Sequence, residues 1–174
     1  MTDIIQKALL FATEAHGKQM RKYTGEPYIV HPVEVMSIVK SVTSDEEVLA
    51  AALLHDVVED TPSLVADISQ HFGSRVASLV DELTDRSVLT DGNRKVRKEI
   101  DRSRLASASA EAQTVKLADL ISNTRSIVEH DPNFAKIYMA EKALLLKVLV
   151  RGNKELFAKA SALVVAYEKD VKKL

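Results

Sequence analysis

Apolar residues recur every three or four positions along nearly the whole chain, and a chain with that period can build helices and little else. No stretch alternates apolar and polar residues over the length of a strand. Tyr28-Ile29-Val30 is the one short β-like run, and it is too brief to found a sheet. The expected architecture is therefore all-α, a single domain over residues 1–174 with about eight to ten helices joined by short turns. Hydrophobic residues make up 46% of the chain, with only 5 Gly and 4 Pro, enough apolar side chain to bury a core.

Local signals punctuate the period. Thr2 or Asp3 caps a first helix whose face carries Ile5, Leu9, Ala12 and His16, with an end expected near Arg21. Gly25 and Pro27 break Tyr23–Tyr28 into a turn. His31-Pro32 opens a second helix with the face Val33, Met36, Val39 and Val42. Ser44 with Glu47 matches a capping box for the next helix. Thr61-Pro62 reads as cap and first residue of a helix running to Phe72, closed by Gly73. Val76, Leu79, Val80 and Leu83 mark a short helix, and residues 85–93 a loop. Arg94–Arg104 reads as a solvated helix and Glu111–Glu129 as a buried one. Asp131-Pro132 repeats the cap-then-proline signal before a long helix reaching Leu149, and Gly152-Asn153 precedes a last helix from about Lys154.

Charge and composition narrow the partners. The net charge of -1 gives no global attraction to nucleic acid or acidic membranes. The absence of Cys excludes disulfides and thiolate metal sites. No apolar run approaches the roughly 20 residues of a membrane span, and the first residues lack a secretion-signal pattern. The expectation is a cytoplasmic protein with no nucleic-acid or membrane partner, and with homo-oligomerisation left open.

One apolar helical run, Ala50–Thr61, carries His55, Asp56, Glu59 and Asp60 in its last turns. His55 and Glu59 are four apart, as are Asp56 and Asp60, so on a continuous helix the pairs occupy adjoining ridges. Burying such groups without partners costs several kcal/mol, about 2–7 for each polar group. A bound cation removes that cost. Further donors stand at His31 and at Asp119, which shares a helix face with Lys116 and Asn123. Two imidazoles and two carboxylates suit Mn, Fe, Ni, Co or Zn better than Ca.

The order His31, His55-Asp56, Asp119 resembles that of the HD-domain metal phosphohydrolases. The surrounding words, Ala15-His-Gly-Lys-Gln-Met-Arg21-Lys22, Gly25-Glu-Pro-Tyr-Ile-Val-His31-Pro32, Ala51–Thr61, Phe72-Gly73, Glu82-Leu-Thr84 and Lys116-Leu-Ala-Asp119 with Asn123 and Arg125, look like the hydrolase domain of RelA/SpoT-type enzymes over residues 8–125. In length the chain is similar to the free-standing small alarmone hydrolases. Two departures stand out. Tyr23-Thr24 lengthens the turn after the Arg-Lys pair, and the likeness fades after Arg125.

The resemblance implies one Mn²⁺ held by His31, His55, Asp56 and Asp119. It implies Glu59 and Asp60 as the groups that position or deprotonate the attacking water, and Arg21, Lys22 and Asn123 as nucleotide contacts. The implied reaction removes the 3′-pyrophosphate of guanosine 3′,5′-bis(diphosphate), ppGpp, to give GDP and pyrophosphate. Other members of the class imply NADPH or a nucleoside phosphate as alternative substrates, and a non-catalytic nucleotide-sensing domain is a separate alternative. Plainer readings stand beside these. Asp119 three residues from Lys116 can be an ion pair, and Arg21 and Lys22 can be favourable cations at a helix end. Phe134 and Tyr138 read first as core and second as base-stacking side chains, while His16 and His71 read as structural and His130 as a helix-end residue.

Overall fold

The computed structural model describes residues 3–171. They form ten α-helices and one 3₁₀ turn, with no strand among the described residues. Met20 and Pro27 form an isolated antiparallel bridge. The chain divides at Asp85–Arg86 into two compact units.

In the first unit lie α1 (Asp3–His16), α2 (Val30–Lys40), α3 (Glu46–Leu54), α4 (Val57–Asp60), α5 (Val65–Phe72) and α6 (Ser74–Leu83). Its centre is α3, where every residue from Val48 to Leu54 is buried, and α1, α2 and α6 pack around it. A helix apolar on all sides is the expected hub of such an arrangement. Phe11 meets Phe72 edge to face, tying α1 to α5. The core therefore closes around the helix that delivers His55 and Asp56.

Several boundaries differ from the sequence expectation. The first helix ends at His16, because Gly17 takes a positive φ of 52° and turns the chain; Thr2 lies outside the described residues. Asp45 caps α3 in place of Ser44, its carboxylate accepting from the Glu47 and Val48 amides. Carboxylate and hydroxyl caps are near-equivalent in sequence, and the ion pair from Asp45 to Arg75 on α6 decides the choice. Thr61 and Ser63 hold a turn, and α5 starts only at Val65, where Asp67 accepts from the Leu64 amide. On α2 the buried face is His31, Pro32, Val35 and Val39, since Val33 points to solvent. Pro32 sits in the first turn and Gly73, at φ 86°, closes α5, as the sequence predicts.

The second unit holds the 3₁₀ turn Leu89–Asp91, α7 (Arg94–Ser107), α8 (Ala110–His130), α9 (Pro132–Leu146) and α10 (Lys154–Val171). α8, α9 and α10 pack on one another. Asp131 caps α9 by accepting from the Phe134 amide, as the cap-then-proline signal predicts. α9 ends at Leu146, short of the expected Leu149. The buried Gln113 amide joins Leu105 to Arg151: its Nε2 donates to the Leu105 carbonyl and its Oε1 accepts from the Arg151 amide. Asp101, expected on a solvated face, is only 4% exposed and accepts from the Arg86 amide, the Ser87 amide and the Ser87 hydroxyl. A carboxylate taking three bonds from one turn fixes that turn, which is why a charged residue is tolerated inside.

Candidate metal centre

His31 enters from the first turn of α2, His55 from the end of α3, and Asp56 from the step between α3 and α4. The two imidazoles are each 2% exposed. Asp56 Oδ2 lies 3.5 Å from His31 Nε2 and 3.2 Å from His55 Nε2. The ring centroids are 5.3 Å apart, and one ligand atom from each of the three residues falls within 4.8 Å of the others.

The expected continuous ridge from His55 to Asp60 is not formed. α3 ends at Leu54, Asp56 has φ −96° and ψ −7°, and α4 restarts at Val57. This break turns the two adjacent side chains His55 and Asp56 onto a common point, which regular helical spacing of neighbours does not allow.

A cation fits these donors. His55 Nδ1 donates to the Ala52 carbonyl at 2.8 Å, so in the neutral ring Nε2 is the lone-pair nitrogen, and it faces a carboxylate oxygen. Two acceptors at that range are reconciled by a shared positive charge. Ligand atoms on one ion at bond lengths near 2.0–2.2 Å lie about 3 Å apart, close to the spacing seen. Nitrogen and oxygen donors together suit a borderline divalent ion.

The neighbouring carboxylates have defined supports. Glu59 Oε2 accepts from the Asp85 amide at 3.1 Å. Asp60 Oδ2 accepts from Gln19 Nε2 at 3.2 Å. Asp56 Oδ2 accepts from the Tyr28 hydroxyl at 2.6 Å. Gln19 and Tyr28 come from the segment between α1 and α2, and neither stood out in the sequence as a site residue. Both lie inside stretches that carry the family likeness, Gln19 in Ala15–Lys22 and Tyr28 in Gly25–Pro32, and that membership is the signal that could have found them.

Of the expected nucleotide contacts in this unit, Arg21 Nη1 lies 3.6 Å from Glu34 Oε2 on α2. Lys22 Nζ donates to the Tyr23 hydroxyl at 3.1 Å and stands 4.7 Å over the same ring.

Asp119 belongs to the second unit, on α8, and is 5% exposed. Its Oδ2 pairs with Lys116 Nζ at 2.9 Å and its Oδ1 accepts from Asn123 Nδ2 at 2.6 Å. The three polar residues do share a helix face, and Lys116 and Asp119 form an ion pair on it. Tyr138 is buried, and desolvation first, with the Asp119 charge second, raises its phenol well above the usual range. The core reading of Tyr138 is the one observed.

A helical scaffold that aims two buried imidazoles and a carboxylate at one point presents a His-Asp donor set that can hold a metal ion. The chain belongs to the HD-domain family, whose model matches residues 8–145. It is similar to the Aquifex aeolicus guanosine-3′,5′-bis(diphosphate) 3′-pyrophosphohydrolase, with 50% identity over 80 residues, 46% of this chain and 11% of that protein. It is also 38% identical to the bifunctional (p)ppGpp synthase/hydrolase SpoT of Escherichia coli over 126 residues, 71% of this chain and 18% of that one. The chain thus spans less than a fifth of the length of these curated relatives. Among solved structures it resembles a metazoan ortholog of SpoT described as hydrolysing ppGpp, with TM-score 0.86 and 30% identity over 96% of this chain and 97% of that one. A Listeria monocytogenes protein matches with TM-score 0.69 and 28% identity, covering 85% of this chain and 99% of its own.

Proposed function

We propose that the protein is a divalent-metal-dependent hydrolase that removes the 3′-pyrophosphate of ppGpp, releasing GDP and pyrophosphate. The observation that carries this reading is the convergence of His31, His55 and Asp56, with two carboxylates one turn further on. The resemblance to ppGpp hydrolases over nearly the full length of a solved structure supports the substrate. In this reading residues 1–174 work as one HD-type domain in the cytoplasm, on a small nucleotide and not on nucleic acid or membrane. No helix among the described residues is long and apolar enough to cross a membrane.

His31, His55 and Asp56 hold the ion, taken as Mn²⁺. Asp119 is the fourth ligand on the strength of the sequence likeness. The ion, when bound, supplies Lewis acidity toward phosphate oxygens and lowers the pKa of water. Water adds to the phosphorus on the ribose 3′ oxygen, that P–O bond breaks, and the 3′ oxygen leaves with GDP. Glu59 takes the proton from the attacking water, a contribution of about 10²–10⁴-fold for a general base. Asp60 orients the same water. Arg21 and Lys22 exchange their present partners for phosphate oxygens, Arg21 with a planar fork that suits bidentate binding, and Asn123 helps seat the nucleotide.

The test is pyrophosphate release from ppGpp with Mn²⁺, run beside NADPH and nucleoside monophosphates, for wild type and Glu59→Gln. The expected result is turnover of ppGpp that falls at least 10²-fold in the variant while bound metal stays the same. Turnover of another nucleotide with none of ppGpp overturns the substrate, and wild-type rates in Glu59→Gln overturn the base.

A further inference from the structure

We infer that His16 and Gln19 form a positioning pair for Asp60, fixing the plane of its carboxylate through a single chain of directed hydrogen bonds. The inference rests on the reading of Asp60 as part of the hydrolytic site and adds two residues to it.

The chain of bonds has only one consistent polarity. An ionised carboxylate accepts and cannot donate, so the Gln19 group facing Asp60 Oδ2 at 3.2 Å is the amide nitrogen. That orientation sends Gln19 Oε1 toward His16 Nδ1, 2.9 Å away. A carbonyl oxygen also only accepts, so His16 carries its proton on Nδ1. The other ring nitrogen, Nε2, is buried with no hydrogen-bond partner, a tolerable place for a lone pair and a costly one for an N–H. The tautomer of a buried imidazole, the flip state of an amide and the aim of a carboxylate are thus one linked choice.

The pair is held rigidly. His16 closes α1 and is 6% exposed, and its ring lies 4.7 Å from that of Tyr28. The Gln19 amide donates to the His16 carbonyl, and the Gln19 carbonyl accepts from the Tyr28 amide, both at 2.9 Å. Gln19 is therefore fixed by its backbone on both sides before its side chain reaches Asp60. Groups that orient a reacting residue are most effective when their own rotamers are locked in this way.

Two measurements test the pair. Nitrogen-15 NMR of the full chain reads the His16 tautomer without reference to turnover. Wild type is expected to show Nδ1–H, and Asp60→Ala, which removes the acceptor of the Gln19 side-chain amide, is expected to move the Gln19 side-chain NH₂ resonances while the buried Nε2 keeps His16 in the Nδ1–H form. Kinetics then read the consequence: Gln19→Leu lowers kcat about 10-fold with KM within about 2-fold, as for a group acting on the transition state alone. The Asp60→Asn/Gln19→Leu double variant is no slower than Asp60→Asn, because a residue acting through Asp60 has nothing left to act on. His16→Asn, which keeps an N–H near the Nδ1 position, retains more activity than His16→Leu. An Nε2–H tautomer in wild type, Gln19 side-chain NH₂ resonances indifferent to Asp60→Ala, or additive losses in the double variant overturn the pair. A wild type that shows the Nδ1–H tautomer and the Gln19 response to Asp60→Ala without hydrolysing ppGpp supports the pair and overturns the substrate assignment.

Discussion

Tyr28 donates its hydroxyl proton to Oδ2 of Asp56 over 2.6 Å, and that oxygen is the one that faces both His31 and His55. The bond leaves the carboxylate one preferred rotation and directs Oδ2 toward the imidazoles. Supports of this kind around a metal ligand are worth about 10–100-fold in metal affinity. Tyr28→Phe is expected to weaken Mn²⁺ binding by that factor with unchanged circular dichroism. Calorimetric titration checks it, and wild-type affinity in the variant would show that Asp56 is aimed by other contacts.

A ligand that binds the folded chain alone stabilises it by mass action, about 2.7 kcal/mol at a hundred times its Kd. Mn²⁺ is therefore expected to raise the unfolding midpoint of the wild type and a chelator to reverse the rise. His55→Ala, which removes one of the two buried imidazole donors, should show neither response. A midpoint that still rises with Mn²⁺ in this variant places the ion elsewhere.

Gly152 packs against α8 so closely that an added Cβ would sit 2.7 Å from Leu117 Cδ1 and 3.1 Å from the Gln113 backbone carbon. Leu117 is fully buried, so its methyl has no open space to move into, and the Gln113 backbone is held in its helix. Gly152→Ala is expected to destabilise the protein by about 1–3 kcal/mol, the usual cost of overpacking. Denaturant unfolding measures it, and a loss below about 0.5 kcal/mol would mean that the α8–α10 contact relaxes freely.

The Arg75 guanidinium hydrogen-bonds Asp45 and holds its carboxyl below the ordinary 3.8. With a depressed folded pKa, the unfolded chain takes up the proton first as pH falls. The pair's contribution is then complete above about pH 4 and is lost as pH drops through the lower folded value. Both side chains are more than a third exposed, at 42% for Arg75 and 37% for Asp45, so the ion pair is worth at most about 1 kcal/mol. Loss of the α3 cap adds about 1 kcal/mol to Asp45→Ala at neutral pH. The gap in stability between wild type and Asp45→Ala should narrow below pH 4, by unfolding at a series of pH values. A constant gap would show that the charge of Asp45 does not matter.

Much of the fold was legible because helix period and punctuation are local. The cap-then-proline at Asp131-Pro132, the stop at Gly73 and the solid apolar run of α3 each follow from side chains within a few positions of one another. The likeness to HD-domain hydrolases also pointed to His31, His55 and Asp56 as partners, and the three do meet. Choices between near-equal local options were not legible. Ser44 and Asp45 are both good caps, and Arg75, 30 residues away, selects Asp45.

What the amino-acid sequence determined by itself was the helical class, most of the helix spans and the residue types of the candidate metal centre, since these depend on residue chemistry and short-range spacing. Tertiary structure decided how those donors are aimed. The break between Leu54 and Val57, the Tyr28 bond to Asp56 and the Gln19 bond to Asp60 join segments up to 41 residues apart. Hydrogen bonds act over about 3 Å, so their pairing is settled only when packing around α3 brings the segment between α1 and α2 against the end of that helix.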